Sequence, residues 1–357
     1  MIHPCRRVSR APLPALFEIA PKPLALPEVA ASAFGEILTQ SFLDETRTTG
    51  LYVVHKGQVV YQNYWLGMSP TSQHISFSVA KSFISTLIAF ALREGLIASI
   101  DTPVDHYVPT LKGSGYEGVE LRHVLQMSSG VRWNEDYGDP NSDVARFADA
   151  FEQGGSFDTV AASLPRERAP GTYNRYNSCD THVLGMVLAR ATGQSVAEYL
   201  EARLWHVLGM EDDAFFLVDG QGVEASGMGL NVTLRDFAKL GQMMLNRGMV
   251  NGEQLLPDGW WQGCAMALAP HLMPGPRDSA DYPFGYGYQW WLPDSSGAFA
   301  AMGVYYQYIW VDPKTETVIV KTSADPRFGQ DAAEMDAVDI KHFALFHAIG
   351  AAAALAC

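Results

Sequence analysis

The stretch SVAKSFISTLIAFALR, residues 78–93, constrains the fold most strongly because it is apolar on almost every side. A surface helix keeps one polar face, whereas a helix that is hydrophobic all round lies inside a protein. Gly95 follows the last apolar positions, as glycine often does at a helix end. The sequence therefore predicts a central helix over residues 78–93, around which the other elements must pack.

Strand patterns occur on both sides of this helix. Residues 51–65 are rich in β-branched and aromatic side chains around Lys56-Gly57, which predicts a hairpin. Near the other end of the chain, YGYQWWL, AFAAMGV and YYQYIWVDPKTETVIVKTS also read as strands. The two ends of the chain are therefore expected to contribute to one antiparallel sheet.

Helical periodicity dominates the rest. Residues 96–224 carry repeated 3.6-residue patterns, including a capping box at Ser195 and Glu198. Further helices are expected over residues 234–247 and in the final segment, AAEMDAVDIKHFALFHAI. This order predicts an α+β fold in which an antiparallel sheet is flanked by helices and carries an all-helical subdomain.

We expect one structural unit over residues 1–357. An α/β subdomain is predicted at about 45–95 and 225–357, and the helical subdomain at about 96–224. Residues 1–44 begin with a Pro- and Ala-rich stretch of little periodicity, so we expect them to form an extension that wraps the surface.

Charge and cysteine content exclude several functional classes. The net charge of −14 argues against nucleic-acid partners, since such binding depends on clustered Lys and Arg. The four cysteines are scattered without metal-ligand spacing, which indicates reduced thiols, no metal site and no cofactor.

We read no export signal and predict a cytoplasmic protein without a membrane partner, because the apolar tail is expected to be too short to cross a bilayer. A homodimer is compatible with the sequence.

Ser78 and Lys81 are the first candidate catalytic pair. Residues at i and i+3 lie on one face of a helix, so the hydroxyl and the amine can meet at its first turn. A desolvated lysine has a lowered pKa and can take the proton of a serine nucleophile. The alternative is a chance S-x-x-K with serine as a helix cap, but a lysine inside an apolar helix is costly without a role.

Two further elements fit the same chemistry. Tyr176 precedes a predicted helix, where its phenol can relay a proton, and Ser178 follows it closely. Gly303 allows a strand to approach the site, so that the N–H of Val304 can join that of Ser78 in stabilising an oxyanion. The alternatives are an ordinary capping loop and a simple mid-strand glycine.

Taken together, the motifs SVAKS, NEDYGDP, YNSCDT, LRDFAKLGQMML and QYIWVDPKTETVIVK resemble the serine β-lactamase and penicillin-binding superfamily. They are most similar to the class C-like branch that contains the 6-aminohexanoate-dimer (nylon oligomer) hydrolases and related carboxylesterases. The resemblance covers roughly residues 45–350. It implies a β-lactamase-like fold and acyl transfer through a covalent acyl-enzyme.

The resemblance also assigns roles to single residues. Ser78 corresponds to the acylated nucleophile, Lys81 to its base partner and Tyr176 to a second proton-transfer residue. Tyr137 matches a tyrosine on a mobile loop that closes over the substrate, with a surface turn aromatic as the alternative. Trp133 and the aromatic stretch FGYGYQWW can wall an apolar acyl pocket, although such residues belong more often to the core.

Three departures from the wider superfamily bear on the substrate. Ser178 stands where most β-lactamases carry Asn, which argues against lactamase activity. The K-T-G motif is replaced by Ala301-Met302-Gly303, while Lys321-Thr322-Ser323 lies at the end of the following strand. Without the motif lysine, the usual cationic anchor for a penicillin carboxylate is missing. Tyr305 and Tyr306 occupy positions where the branch often has His-Gly.

The leading hypothesis is a cofactor-independent serine hydrolase acting on small-molecule carboxylic esters and small linear amides similar to 6-aminohexanoate dimers. A β-lactamase or D-amino-acid peptidase is the alternative within the enzyme class. A non-catalytic penicillin-recognising protein is the alternative outside it. The joint presence of Ser78, Lys81 and Tyr176 favours an enzyme.

Overall fold

The computed structural model describes residues 3–356, apart from the side chains of residues 152, 332 and 333. Cys357, one of the four cysteines considered above, lies outside these residues, and Cys5, Cys179 and Cys264 are free thiols. The strands are β1 (Cys5–Val8), β2 (Glu18–Ile19), β3 (Val29–Ser32), β4 (Gly35–Leu38), β5 (Thr48–His55), β6 (Gln58–Tyr64), β7 (His74–Ile75), β8 (Ala214–Leu217), β9 (Leu230–Val232), β10 (Met249–Val250), β11 (Glu253–Gln254), β12 (Gly285–Tyr286), β13 (Trp291–Leu292), β14 (Phe299–Gly303), β15 (Gln307–Asp312) and β16 (Thr317–Ser323).

Most of the helices lie in the middle of the chain, and the longest of those described is at its C-terminal end. They are α1 (Thr39–Glu45), α2 (Ala80–Arg93), α3 (Val104–Tyr107), α4 (Leu121–Leu125), α5 (Asp143–Glu152), α6 (Phe157–Ser163), α7 (Ser178–Thr192), α8 (Val196–Leu200), α9 (Leu234–Leu245), α10 (Trp260–Ala265) and α11 (Ala332–Ala356). The capping box of Ser195 and Glu198 is present at α8, and this helix continues into a π-helical turn at Glu201–Trp205.

An eight-stranded sheet with the order β12-β13-β14-β15-β16-β5-β6-β2 forms the centre of the molecule. Its C-terminal strand β16 pairs with the N-terminal strand β5, so the sheet is assembled from both ends of the chain as predicted. The predicted hairpin is β5–β6, whose turn residues Lys56 and Gly57 have φ values of 48° and 80°. The pairing of β2 with β6 is parallel, which makes the sheet mixed rather than purely antiparallel.

Helices cover both faces of this sheet, which explains why every residue of β5 and β16 is buried. Val318 and Val320 of β16 point into a core that also contains α2 and α9. Ile319 points the other way, into a second core that contains Phe343 and Phe346 of α11. The alternation of side chains along a strand thus divides the apolar residues between two layers.

The predicted central helix is present as a short 3-10 turn, Phe77–Val79, followed by α2. Every residue from Ala80 to Ala91 is buried, in agreement with its apolar composition. The turn after the helix contains Gly95 in the left-handed conformation, with φ 73°.

Three segments differ from their sequence-based expectations. The N-terminal segment contains regular strands, since β1 pairs with β8 in a second sheet of order β1-β8-β9-β7. This pairing also explains why Ala214–Leu217 is extended within the section predicted to be helical. YGYQWWL is a hairpin rather than one strand, since Tyr286 ends β12 and Trp291-Leu292 form β13. The turn between them contains Gln289, with φ 62°, whose side-chain amide donates to the carbonyls of Val124 and Leu125 at the end of α4.

The terminal helix α11 has 25 residues, more than the apolar tail predicted from the sequence. Its stretch Glu334–Ala356 is long and apolar enough to cross a membrane by length and composition. One face of α11 nevertheless packs on the sheet through Phe343, Phe346 and Ile349, next to Trp310. The prediction of a packed terminal helix is therefore confirmed, whereas the length argument behind it was wrong.

We expect Gly241→Val to destabilise the protein by about 1–3 kcal/mol, because overpacking a filled core has costs of this size. A Cβ atom at Gly241 would lie 2.5 Å from Val318 Cγ1 and 2.9 Å from Ile309 Cγ2, where α9 rests on the sheet. Urea unfolding followed by circular dichroism measures the change. Gln242→Val, at the half-buried neighbouring position, is the control and should cost less than about 1 kcal/mol; equal losses in both variants would contradict this account.

Candidate active site

Ser78 lies in the 3-10 turn at the entrance to α2, and Lys81 lies in the first turn of that helix. The amine of Lys81 donates a hydrogen bond of 2.9 Å to Ser78 Oγ. Phe77, immediately before the serine, has φ 44°, an uncommon conformation for a bulky residue. The turn therefore presents the serine hydroxyl at a cavity wall while the lysine stays inside the protein.

Lys81 is almost completely buried, and three oxygen atoms surround its amine. Besides Ser78, Nζ donates to Ser178 Oγ at 3.0 Å and to the carbonyl of Gly227 at 2.8 Å. Burial lowers the pKa of Lys81 to about 8, against the opposing effect of the Glu135 carboxylate. The amine can therefore lose its proton near neutral pH, as a base partner for serine requires.

Tyr176 lies one residue before Asn177, the N-cap of α7, whose side chain accepts hydrogen bonds from the backbone of Cys179 and Asp180. Its ring stacks on Trp291, and its centroid is 5.1 Å from the Lys81 amine. Burial, assisted by the charge of Glu135, raises the pKa of the Tyr176 phenol well above its usual value. Tyr176 is therefore a protonated phenol, suited to donating or relaying a proton.

Glu135 connects several site residues and was missed by the sequence reading. Its carboxylate accepts hydrogen bonds from the Ser178 hydroxyl at 2.6 Å, the Ser178 N–H at 2.9 Å and the Tyr137 hydroxyl at 2.8 Å. The Trp133 indole donates to the same carboxylate. Only its place in NEDYGDP, two residues before Tyr137, hinted at this role, and acidic residues are common in loops.

The predicted substrate-binding aromatics occupy different positions. Tyr137 lines the cavity that contains Ser78 and Tyr176, with its ring partly exposed and packed near Phe328. Trp133 is buried against Phe147 and is placed behind the site, where it orients Glu135 and borders an outer cavity. The structure therefore does not place Trp133 in the wall of an acyl pocket beside Ser78. Phe284 and Trp291, from the stretch FGYGYQWW, do line the Ser78 cavity.

Gly303 brings β14 against the turn that contains Ser78. A Cβ atom at this position would lie 2.6 Å from the Ser76 carbonyl and 3.2 Å from the Ser78 nitrogen, so only glycine fits without a shift. Val304 follows directly and lines the same cavity as Ser78. The close approach brings β14 next to Ser78, and the oxyanion role of the Ser78 and Val304 N–H groups stays a prediction.

The turn after Val304 is unusual because Tyr305 and Tyr306 have φ values of 63° and 67°. The buried Gln307 amide donates to the carbonyls of Val304, Tyr305 and Ser323. Gln307 also accepts a hydrogen bond from the Ser323 N–H. These bonds hold two bulky residues in a conformation that glycine would adopt more easily.

The K-T-G lysine has no substitute in the cavity. Met302 lines the Ser78 cavity, and neither lysine nor arginine is among the described residues that do so. Lys321 is fully buried and donates to Ser323 Oγ, and burial lowers its pKa to about 7. The lysine of β16 is thus part of the core between the sheet and α11. Among the side chains that the structure describes, no group of three His, Cys, Asp or Glu residues is arranged to hold a metal ion.

A family model described as Beta-lactamase matches residues 38–342. The chain belongs to the beta-lactamase family. This hydrolase is 32% identical to a 6-aminohexanoate-dimer hydrolase of Paenarthrobacter ureafaciens over 293 residues, covering 80% of this chain and 74% of that protein. The predicted fold class and family are therefore confirmed.

Solved structures of other proteins share the fold. A Bacillus anthracis protein described as a candidate 6-aminohexanoate-dimer hydrolase superimposes with a TM-score of 0.84 and 28% identity, covering 97% of this chain and 91% of the other. EstCE1, described as a hydrolase with promiscuous acyltransferase activity, gives a TM-score of 0.64 at 18% identity, with 80% of this chain and 91% of that chain covered. The latter likeness concerns the fold alone.

We expect Gly303→Ala to lower kcat by about 10²–10³-fold, the effect of losing one oxyanion donor. The added methyl group must push β14 away from Ser76 and so separate Val304 from Ser78. Steady-state kinetics on a p-nitrophenyl ester gives kcat, and urea unfolding gives the folded fraction. A loss of activity no larger than the loss of folded protein would refute this reading.

Activity should rise with pH through an apparent pKa near 8, because only the unprotonated Lys81 can accept the serine proton. Glu135 raises the pKa of Lys81, so Glu135→Gln should move the acid limb of the kcat/KM profile to lower pH. Asp136→Asn, the same change at the next position, is the control and should leave the limb in place. A limb that stays unmoved in Glu135→Gln would remove Glu135 from this role.

Proposed function

We propose that this protein is a serine hydrolase that cleaves carboxylic esters and small linear amides through an acyl-enzyme on Ser78. The observation that carries this proposal is the convergence of Ser78, Lys81 and Tyr176. The Ser78 hydroxyl lies 2.9 Å from the Lys81 amine and shares a cavity with Tyr176. The substrate we propose is a small molecule whose carbonyl carbon can reach the serine hydroxyl.

Acylation follows from the protonation states of these groups. Unprotonated Lys81 takes the Ser78 proton as the serine oxygen attacks the carbonyl carbon. The N–H groups of Ser78 and Val304 stabilise the negative charge on the carbonyl oxygen. Tyr176, a protonated phenol, supplies a proton to the departing alcohol or amine and regains one from Lys81.

Deacylation reverses the roles of the proton carriers. Water enters the place of the leaving group and gives its proton to the Tyr176–Lys81 pair as it attacks the acyl carbon. The second tetrahedral intermediate then expels Ser78, whose oxygen recovers a proton from Lys81. Each cycle releases the carboxylic acid and restores the hydrogen bond between Lys81 and Ser78.

The charge of the cavity lining favours ester and amide substrates over penicillins. A penicillin carries a carboxylate that needs a cationic partner, whereas the described residues that line the Ser78 cavity include Asp336 and Asp339 but neither lysine nor arginine. The similarity to a 6-aminohexanoate-dimer hydrolase supports linear amides as a second substrate class. Nitrocefin turnover rivalling that of short esters would reverse this preference in favour of a β-lactamase.

Mixing the protein with p-nitrophenyl acetate should give a burst of p-nitrophenol equal to the enzyme concentration, because this activated ester acylates Ser78 faster than the acyl-enzyme hydrolyses. Ser78→Ala should abolish the burst and lower turnover by at least about 10³-fold. Ser85→Ala is the matched control, since Ser85 lies two turns further along α2 and bonds the Tyr288 carbonyl. Turnover that survives in Ser78→Ala, or the absence of Ser78 labelling by a fluorophosphonate, would defeat the proposal.

A further inference from the structure

A second cavity, of about 260 Å³, also contains Ser78 in its wall. Tyr176 borders the first cavity together with Ser78, whereas the second cavity is bordered instead by Ser178, Met228 and part of α5. Tyr137 and Val304 border both. Ser78 thus lies between two cavities. The carbonyl carbon that it attacks carries an acyl chain on one side and a leaving group on the other, so two cavities are needed.

The proton donor distinguishes the two spaces. A leaving group must lie near the phenol that protonates it, and Tyr176 lines the first cavity but not the second. The leaving alcohol or amine therefore occupies the first cavity, and the acyl chain is left with the second.

The chemistry of the second cavity then defines the acyl group. Its wall includes Val144, Ala145 and Ala148 on one side, and Phe77, Met228 and Tyr305 elsewhere. None of the described residues that line it carries a charge, whereas the first cavity includes Asp336 and Asp339. An ionised group enters such a space only at a large cost in lost hydration.

The aromatic part of this wall is held in place by the backbone. The rings of Phe77 and Tyr305 lie 5.2 Å apart, and both residues have positive φ values, 44° and 63°. Gln307 donates to the Tyr305 carbonyl and so fixes the turn that carries this ring. The cavity is consequently a formed subsite rather than a gap between mobile side chains.

We propose that this cavity is the acyl subsite and that it selects uncharged, apolar acyl chains of medium length. This proposal rests on the proposed function, because it names the acyl group that is transferred to Ser78. It also separates this protein from one that prefers an ω-amino acyl chain. The bonds formed and broken are those of the acyl transfer described above.

Two esters with the same p-nitrophenol leaving group test the charge requirement. The 5,5-dimethylhexanoyl ester ends in a tert-butyl group, and the 4-(trimethylammonio)butanoyl ester has the same shape with one positive charge. We expect kcat/KM to be at least tenfold higher for the neutral ester. Equal values, or a preference for the cation through the aromatic rings, would overturn the proposal.

The length of the acyl chain and a cavity-filling variant test whether the acyl group binds in this cavity. Wild-type kcat/KM should rise at least tenfold from p-nitrophenyl acetate to the hexanoate. Ala148→Leu should lower the ratio of the hexanoate value to the acetate value about tenfold, since the added side chain enters the subsite. Asp149→Leu introduces the same side chain at the next position, outside the cavity lining, and should change neither value.

The outcomes separate this proposal from the proposed function. If Ser78 is labelled and acylated but kcat/KM ignores chain length, only the acyl subsite is wrong. If Ser78 is not acylated by any ester, the proposed function fails and the subsite fails with it. The series on the wild-type protein remains decisive even if Ala148→Leu does not fold.

Discussion

The burial of the Lys81 amine is the constraint on which the site depends. An ammonium group inside an apolar helix is unfavourable unless oxygen atoms accept its hydrogen bonds. Ser78, Ser178 and Gly227 supply these oxygens from three separate parts of the chain. The same burial lowers the pKa of the amine and so gives it the properties of a base. The hydrogen bonds that stabilise the buried lysine are therefore the same contacts that bring the parts of the site together.

A second requirement is the close contact between β14 and the turn that holds Ser78. This contact needs a glycine at position 303, and the following turn needs the three donated hydrogen bonds of Gln307. Two tyrosines in the left-handed conformation are tolerated because the surrounding structure fixes them. Strain of this kind is typical of positions where the backbone serves a site rather than the stability of the fold.

The sequence predicted the central helix, the hairpin and the joining of both chain ends, because each has a clear periodicity or turn signal. It also predicted Ser78, Lys81, Tyr176 and Gly303 as neighbours. Glu135 and Gln307 escaped notice since their roles come from hydrogen bonds between distant segments, which no local pattern records. The prediction that Trp133 walls the acyl pocket failed for the same reason. A tryptophan in a sequence carries no sign of whether it contacts a ligand or, as here, a carboxylate.

The pairing of β5 with β16 has a consequence for biosynthesis. Val54 lies opposite Val318, so the N-terminal hairpin leaves the ribosome long before its neighbouring strand is made. Until then, a strand that is fully buried in the folded protein has an open edge, which is a template for association with other chains. Contacts between residues so distant in sequence also form slowly. The nascent chain is therefore expected to depend on chaperones until its last quarter has been translated.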